Sequence, residues 1–325
     1  MVAACNNDPF PNKSEVKQVR ILAVRSDLPY ARPGETVSLE ALVDDGRMDK
    51  PEPMRVHWFK VPCVDPPGGQ YFDCYPYLEA AYPAGVDLSP MLEEGTATSI
   101  TIPNDALDGV VPEPGRGSEP AVTSWTFLIA CGGHVERKPR VASLAPNQAP
   151  FGCFGADGKE LSADHGVFGF TRVTVTPTRR NKVPQITRLV HRGRHVDLAR
   201  GPVVERCDKT VLEDFFDWNC IWNGMDINFD ESDAEEDPDN VDANGRVGKE
   251  TLYVDWYVTL GRFIQPRIVV RDPFAGGPEI SNALYEPTRA PGKGILWAVL
   301  HDNRGGVSWI QSPIEVVDGP DRDLP

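Results

Sequence analysis

The stretch Leu252-Tyr253-Val254-Asp255-Trp256-Tyr257-Val258 has an apolar core residue at every second position. Because successive side chains of a β-strand point to opposite faces, this alternation predicts a strand with one buried face. A shorter segment around a tryptophan, Val56-His57-Trp58-Phe59, has the same pattern. No run of ten or more residues has the period of an amphipathic helix. Further alternating stretches occur at Val37–Val43, Trp125–Cys131 and Leu296–Leu300. The sequence therefore predicts an all-β fold.

Composition supports this prediction. The chain has 325 residues with 29 Gly and 31 Pro, a density of helix breakers that favours short strands joined by turns. This length suits about two domains. Its net charge of −15 argues against nucleic acid as a partner, since a phosphate backbone requires clustered Lys and Arg.

The two halves of the sequence resemble one another. Val56–Phe59 parallels Val254–Tyr257, and Ser124–Leu128 parallels Leu296–Leu300. We predict a polar tether within residues 1–16, one domain over 17–180 and a second over 181–325. The predicted joint is the basic stretch around Arg179–Val183.

Seven cysteines are present, and six of them form three pairs of neighbours along the sequence. Nearest-neighbour pairing is the simplest arrangement, although six cysteines allow 15 connectivities. Disulfides would indicate an oxidising compartment, whereas buried reduced thiols would suit the cytosol. The spacings do not match a zinc site. The three neighbouring pairs are Cys63 with Cys74, Cys131 with Cys153, and Cys207 with Cys220.

The remaining cysteine, Cys5, follows Val2-Ala3-Ala4. This stretch resembles the lipobox of bacterial lipoproteins, and the resemblance implies that Cys5 is diacylated and becomes the first mature residue. It covers four residues, with Val2 where the family prefers Leu, and the charged and apolar segments that precede a lipobox are missing here. The alternative is a free cysteine. The resemblance implies an N-terminal lipid anchor in the cell envelope, with the outer membrane as the expected location.

A second resemblance concerns the domains. The segment Val19–Val43, with Ala31-Arg32-Pro33-Gly34-Glu35-Thr36-Val37, resembles the first strands of bacterial Ig-like and PKD-like modules. Leu296–Val317 resembles their last hairpin. This implies two tandem Ig-like (Greek-key) β-sandwich domains with long loops. The cysteines do not flank Trp58 or Trp256 as antibody-type domains require, so we expect any disulfides to staple loops.

The segment 226–242 holds nine acidic residues and no Lys or Arg. Closely spaced carboxylates are the ligands that Ca²⁺ prefers, and Asn240, Asp242, Asn244 and Gly245 partly match an EF-hand loop, whereas Thr251 stands where a bidentate Glu is needed. The alternative is a solvated acidic loop. The candidate calcium ligands are Asp226, Asp230, Asp237, Asp239, Asp242 and Asn244. No other cofactor is expected.

Two loops are further candidates. Aromatic residues crowd the loop after Cys63, which suits recognition of proteins or glycans, although the loop would also serve to cover a sheet face. Its candidate binding residues are Tyr71, Phe72, Tyr75 and Tyr77. Another loop carries Ser162, Asp164 and His165, which offer a nucleophile and base, but no hydrolase motif surrounds them.

These patterns favour a non-catalytic, lipid-anchored envelope or surface protein that uses Ig-like domains for binding or scaffolding. Its partners would be the membrane and other envelope proteins or glycans. The alternatives are a calcium-dependent carbohydrate-binding module and, less favoured, a hydrolase with a loop-borne site.

Overall fold

The computed structural model describes residues 12–112, 119–139, 147–206, 223–274 and 282–318. Within these ranges the chain is almost entirely strand and turn. One α-helix, α1, spans Tyr75–Ala81, and 3₁₀ turns occupy Tyr71–Cys74, Ser89–Met91 and Glu231–Asp233. No helix among the described residues is both long and apolar enough to cross a membrane.

We call residues 12–180 the first half and residues 181–318 the second half. The strands of the first half are β1 (Val19–Ser26), β2 (Tyr30–Ala31), β3 (Thr36–Asp45), β4 (Arg55–Val64), β5 (Glu93–Glu94), β6 (Ala97–Thr101), β7 (Val122–Cys131), β8 (His134–Arg137), β9 (Phe151–Phe154) and β10 (Gly166–Val175). The strands of the second half are β11 (Ile186–His191), β12 (Arg194–His195), β13 (Val203–Glu205), β14 (Gly224–Phe229), β15 (Glu236–Val241), β16 (Val247–Lys249), β17 (Leu252–Val258), β18 (Arg262–Phe263), β19 (Arg267–Arg271), β20 (Ala283–Glu286), β21 (Gly292–Asp302) and β22 (Val307–Val317).

The described strands of each half form two main sheets that pack face to face. In the first half, β1-β3-β6 packs against β2-β10-β7-β4-β5. In the second half, β12-β11-β14-β20-β18 packs against β13-β22-β21-β17-β19. The pairs β2–β10 and β13–β22 are parallel, and the other pairs within these sheets are antiparallel. The predicted all-β sandwich class is confirmed.

The segments that match in sequence occupy the same sheet positions. Val56–Phe59 lies in β4 and Val254–Tyr257 in β17, while the second pair of segments lies in β7 and β21. Trp58 and Trp256 are both fully buried between the sheets of their own half. The exact domain boundary between 180 and 181 stays a prediction.

The strands β7 and β21 differ from the half-buried strands that alternation predicts. From Trp125 to Cys131 and from Leu296 to Leu300, every residue is buried, so these strands have no solvent-exposed face there. The prediction of one buried face is wrong for these two strands, because the residues between the expected core positions are mostly apolar and are buried as well. Such continuous apolar runs are typical of strands that are covered on both faces.

The outer face of β7 is covered by residues 65–92, which we call the cover segment. Tyr75, Leu78 and Leu88 of this segment are buried against Phe59 and Phe127 of the sheet. Disulfides Cys63–Cys74 and Cys131–Cys153 lie in the same apolar cluster. They fasten the cover segment and the β8–β9 hairpin to the sheet, which confirms the prediction for these two pairs. Cys5, Cys207 and Cys220 lie outside the described residues.

We expect the double substitution Cys63→Ser, Cys74→Ser to lower the free energy of unfolding by about 3 kcal/mol, because the bridge closes a short loop in the unfolded chain. Denaturant unfolding under non-reducing conditions measures this loss. Wild-type protein treated with reductant is the comparison. Equal stability of the variant and the oxidised wild type would contradict this role of the bridge.

His57 is a buried titratable residue on the outer face of β4. Its side chain has no exposed surface and both ring nitrogens lack a hydrogen-bond partner among the described residues. Burial lowers the pKa of His57, and the nearby Glu94 and Asp87 oppose this shift less strongly than burial favours it, while Arg55 adds to it. The unfolded chain, with a His pKa near 6.5, therefore binds a proton at a higher pH than the folded chain does.

We expect His57 to make the protein less stable as the pH falls below about 6.5, since protonation favours the unfolded state. The stabilisation is fully present above this pH and is lost as the pH falls toward the folded-state pKa. His57→Phe should remove this contribution, measured as the slope of unfolding free energy against pH between 5 and 7. An unchanged slope in the variant would show that His57 does not titrate on unfolding.

The two halves lie side by side through the outer faces of one sheet from each. Leu22 and Leu42 from β1 and β3 pack with Trp297, Val299 and Val307 from β21 and β22, all of them buried. This contact explains why β21 is buried on both faces. It also shows that the halves are joined by an apolar interface in addition to the chain that connects them.

Two cation–π contacts show in which direction β1 runs along the second half. The Arg20 guanidinium lies 5.2 Å from the ring centre of Tyr257, and the Arg25 guanidinium lies 4.2 Å from that of Trp309. Tyr257 is near the end of β17, whereas Trp309 is near the start of β22, beside the β21–β22 turn. The strand β1 therefore runs antiparallel to β17 along the second half.

Residues 12–16 differ from the extended tether that the sequence predicts. We call them the N-terminal strap, because they dock on the second half before the chain enters β1. Ser14 is fully buried, its backbone carbonyl accepts from Val258, and its hydroxyl accepts from the Phe263 amide at 2.8 Å. Val16 donates to the Val258 carbonyl at 2.9 Å and its side chain joins the interface between the halves.

Candidate functional site

The chain that connects the two halves, residues 179–185, is held by acidic side chains on both sides. Arg180 donates to the Glu35 carboxylate in the first half at 2.9 Å. Arg179 donates to Asp239 at 2.7 Å, and Lys182 pairs with Asp233 at 2.6 Å, both in the second half. We call residues 179–185, together with the side chains that contact them, the junction. Its basic residues and the acidic segment 226–242 are charge partners.

Arg304 lies in the β21–β22 turn and contacts three parts of the junction. Its guanidinium donates to the Glu250 carboxylate at 2.8 Å and to the Arg180 carbonyl at 2.7 Å. The same guanidinium lies 4.8 Å from the ring centre of Tyr30 in the first half. A single cation therefore links the turn, the connecting chain and the first half.

Asp302 holds the turn in the shape that presents Arg304. Its carboxylate accepts from the backbone amides of Arg304 at 2.8 Å and Gly306 at 2.7 Å, and from the Asn181 side chain at 2.9 Å. The next turn residue, Asn303, donates to Asp237 at 2.9 Å. These bonds tie the turn to the connecting chain and to the acidic segment together.

Glu250 is the titratable group at the centre of the junction. Its side chain has no exposed surface. Burial, followed by the negative charge of Asp302, raises the pKa of Glu250 to about 7, although Arg304 favours the ionised form. Burial also raises the pKa of Asp302. Glu250 contacts the Arg304 guanidinium directly, whereas Asp302 accepts from the Arg304 backbone amide. The raised pKa of Glu250 makes the charge of the junction sensitive to pH near neutrality.

The predicted calcium ligands have other partners. Asp237 bonds Asn303, Asp239 bonds Arg179, and Asp230 accepts from the Ser232 amide. Asp226 lies in β14, where burial raises its pKa. Asp242 and Asn244 lie in the turn of the β15–β16 hairpin, where the Asp242 carboxylate accepts from the amides of Asn244 and Arg246.

The structure does not bring the candidate calcium ligands into one cluster among the described residues. Within the described ranges, no group of three or more His, Cys, Asp or Glu side chains lies close enough to hold a metal ion. The EF-hand-like residues form a hairpin turn, with Gly245 at φ +81°, a backbone conformation that favours glycine. Asp233, Asp237 and Asp239 of the acidic segment instead pair with Lys182, Asn303 and Arg179 at the junction.

We expect millimolar Ca²⁺ and excess EDTA to leave the melting temperature unchanged, because the candidate ligands already accept hydrogen bonds or pair with cations. A thermal scan in each condition measures this. Mg²⁺ at the same ionic strength is the control. A rise in melting temperature with Ca²⁺ alone would contradict this assignment of the acidic segment.

The aromatic loop belongs to the cover segment and folds back on its sheet, the second of the two roles that the sequence allowed. Tyr75 is buried, and burial raises the pKa of its hydroxyl. Phe72 is partly buried in the same cluster. Tyr71 stacks on Phe170 with ring centres 4.0 Å apart, and Tyr77 is half-exposed. The loop thus builds a surface rather than an open binding pocket.

The loop proposed for a hydrolase brings two of its three residues together. The Ser162 hydroxyl lies 3.0 Å from Nδ1 of His165, within a local turn in which the His165 amide bonds the Ser162 carbonyl. Asp164 uses its backbone carbonyl to accept from Val19, and among the described residues its carboxylate makes no bond with His165. A third group that would orient the imidazole is thus not provided by Asp164.

Sequence reasoning missed Arg304, Glu250 and the strap residue Ser14. Arg304 lies within Leu296–Val317, whose resemblance to a hairpin predicts no contact for this side chain. A basic connecting chain and an acid-rich segment in the same protein indicate that the two segments pair, but neither pattern identifies which side chains meet. Ser14 carries no such signal, because a polar residue in a polar N-terminal stretch predicts exposure.

No protein-family description matches the sequence. No curated protein sequence matches it either. Solved structures that resemble the chain include fibronectin(III)-like modules of CbhA from Clostridium thermocellum, at 11% identity and a TM-score of 0.23, covering 90% of this chain and 93% of that one. The N-terminal Ig1-2 module of the Drosophila receptor protein tyrosine phosphatase DLAR matches at 10% identity and a TM-score of 0.21, covering 92% of this chain and 97% of that one. Drosophila N-cadherin EC1-4 matches at 10% identity and a TM-score of 0.23, covering 92% of this chain and 50% of that one. The fold assignment rests on the sheets described above.

Proposed function

We propose that the chain is a lipid-anchored binding or scaffolding protein of the bacterial cell envelope. The observation that carries the proposal is the joining of the two halves by three separate contacts. An apolar interface lies between them, a charged junction lies at one end, and the N-terminal strap lies at the other. Such a frame suits the display of loops in a fixed arrangement.

Two further features support this location and role. The disulfides Cys63–Cys74 and Cys131–Cys153 are typical of proteins that fold in an oxidising compartment such as the periplasm. The lipobox-like residues Val2-Ala3-Ala4 precede Cys5, and acylation of Cys5 would supply the anchor. The cover segment presents exposed apolar side chains, Tyr77 and Met91, each about half-exposed, which suit contact with a protein partner.

Processing in a bacterial host, of the chain with a charged and apolar leader placed before Val2, tests the anchor. We expect globomycin, which blocks the lipoprotein signal peptidase, to cause accumulation of a precursor, and Cys5→Ser to release the protein from the membrane fraction. The mass of the mature protein should show acyl chains on Cys5. An unacylated wild-type protein that fractionates with the soluble proteins would overturn the proposal.

A further inference from the structure

We infer that the end of the molecule that carries the N-terminal strap faces the lipid bilayer. The inference rests on the proposed acylation of Cys5 and adds an orientation to it. The proposed partner of this end is a membrane surface. The surface comprises the strap, the β17–β18 connection and the loop that follows β3.

The strap fixes which end of the second half the N-terminal chain leaves from. Ser14 and Val16 bond Val258, the last residue of β17, and Asn12 donates to the Phe263 carbonyl at 3.2 Å. The first residue of β17, Leu252, pairs with Asp302 beside the junction. Seven residues of strand, about 20 Å at ~3.3 Å each, therefore separate the strap from the junction.

Few residues lie between the strap and the proposed lipid. From Cys5 to Asn12 the chain spans seven residues, which reach at most about 25 Å when fully extended. A short link that attaches at one end of the molecule brings that end closer to the bilayer than the opposite end.

The residues at the strap end also suit a membrane surface. Met48, in the loop after β3, is fully exposed, and Gly46 of the same loop lies against the Val16 backbone. Ile264, next to the strap contact at Phe263, is 37% exposed. Because a bilayer accepts exposed apolar side chains, Met48 and Ile264 would gain contacts there that water does not offer.

Charge favours the same orientation on anionic lipids. Lys13 lies within the strap and Lys17 directly follows it, with Glu15 paired to Lys17, and Asp49, Lys50 and Glu52 accompany Met48. In contrast, Glu235 and Asp237 of the acidic segment lie at the junction end, beside Arg304 and Asn303. An anionic surface repels this acid-rich end, whose carboxylates outnumber its cations, more than it repels the strap end.

Site-specific quenching tests the orientation. Acylated protein purified from membranes, carrying Met48→Cys, Ile264→Cys or Val247→Cys with an attached fluorophore, is placed on phosphatidylglycerol-containing vesicles with a headgroup quencher. Val247 is 43% exposed and lies in the hairpin that carries the acidic segment, so it serves as the matched position at the far end. We expect stronger quenching at positions 48 and 264 than at 247.

A longer link is the control that leaves the fold untouched. An insertion of about 30 Gly and Ser residues after Asn7 adds a flexible stretch of roughly 30 Å and should reduce the difference between the positions. Equal quenching at the three positions in the acylated wild type, or stronger quenching at 247, would overturn the inference. Failure of the wild type to carry acyl chains or bind the vesicles would overturn the proposed anchor itself, and mass spectrometry and vesicle flotation distinguish the two results.

Discussion

Replacing Trp297 with alanine should lower the free energy of unfolding by about 3–5 kcal/mol and loosen the contact between the halves. Trp297 is 1% exposed and lies at the centre of the apolar interface with Leu22 and Leu42. Its removal leaves a cavity between two sheets that belong to different halves. Denaturant unfolding measures the loss, and small-angle scattering measures the separation of the halves.

Trp256→Ala is the matched control, because Trp256 is equally buried but packs inside the second half alone. It should cost a similar free energy without lengthening the folded molecule. Trp309→Ala, at the partly exposed rim of the interface, should cost less. A Trp297→Ala protein with wild-type stability and dimensions would show that the interface contributes little.

Arg304→Ala should be the second large effect, with a loss of about 3–5 kcal/mol at pH 8, because Glu250 must there either stay ionised and buried without its cation or take up a proton that the wild type does not need. The pKa of about 7 for Glu250 gives this loss a pH dependence. At pH 5 the Glu250 carboxyl can take up a proton, so the variant should lose less stability there. Unfolding free energies at the two pH values check this.

Glu250→Gln separates charge from packing. In the wild type, the folded chain keeps the Glu250 proton up to about pH 7, whereas the unfolded chain loses it near 4.5, so this group lowers stability as the pH rises between those values. Glu250→Gln should flatten that slope. In the Glu250→Gln background, Arg304→Ala should cost nearly the same at pH 5 and pH 8. A pH-independent cost in the wild-type background would contradict the buried pair.

The strands and the sandwich class were predictable, because β17 and its counterpart β4 carry the alternation that a half-buried strand requires. The segments that cover the outer faces of β7 and β21 were not predictable from the sequence. The apolar residues between the core positions of β7 and β21 indicate a second covered face, but periodicity alone does not identify the cover. For β7 it is a segment earlier in the chain, and for β21 it is the other half of the molecule.

The acidic segment shows a similar limit. Nine carboxylates in seventeen residues predict mutual repulsion that something must offset. A bound cation and the basic side chains of the same protein are equally consistent with that pattern. The partners, Arg179 and Lys182, were visible in the sequence as a basic joint, but only the fold places them against Asp239 and Asp233.

The most direct test of the account is a distance measurement between the halves. Spin labels on Val86→Cys in the cover segment and Val247→Cys in the second half, both 43% exposed positions, report that distance by pulsed electron resonance. If the interface, junction and strap hold the halves side by side, the distribution is single and narrow, and it broadens in Trp297→Ala. A broad distribution in the wild type, as two domains on a free linker would give, would contradict the account.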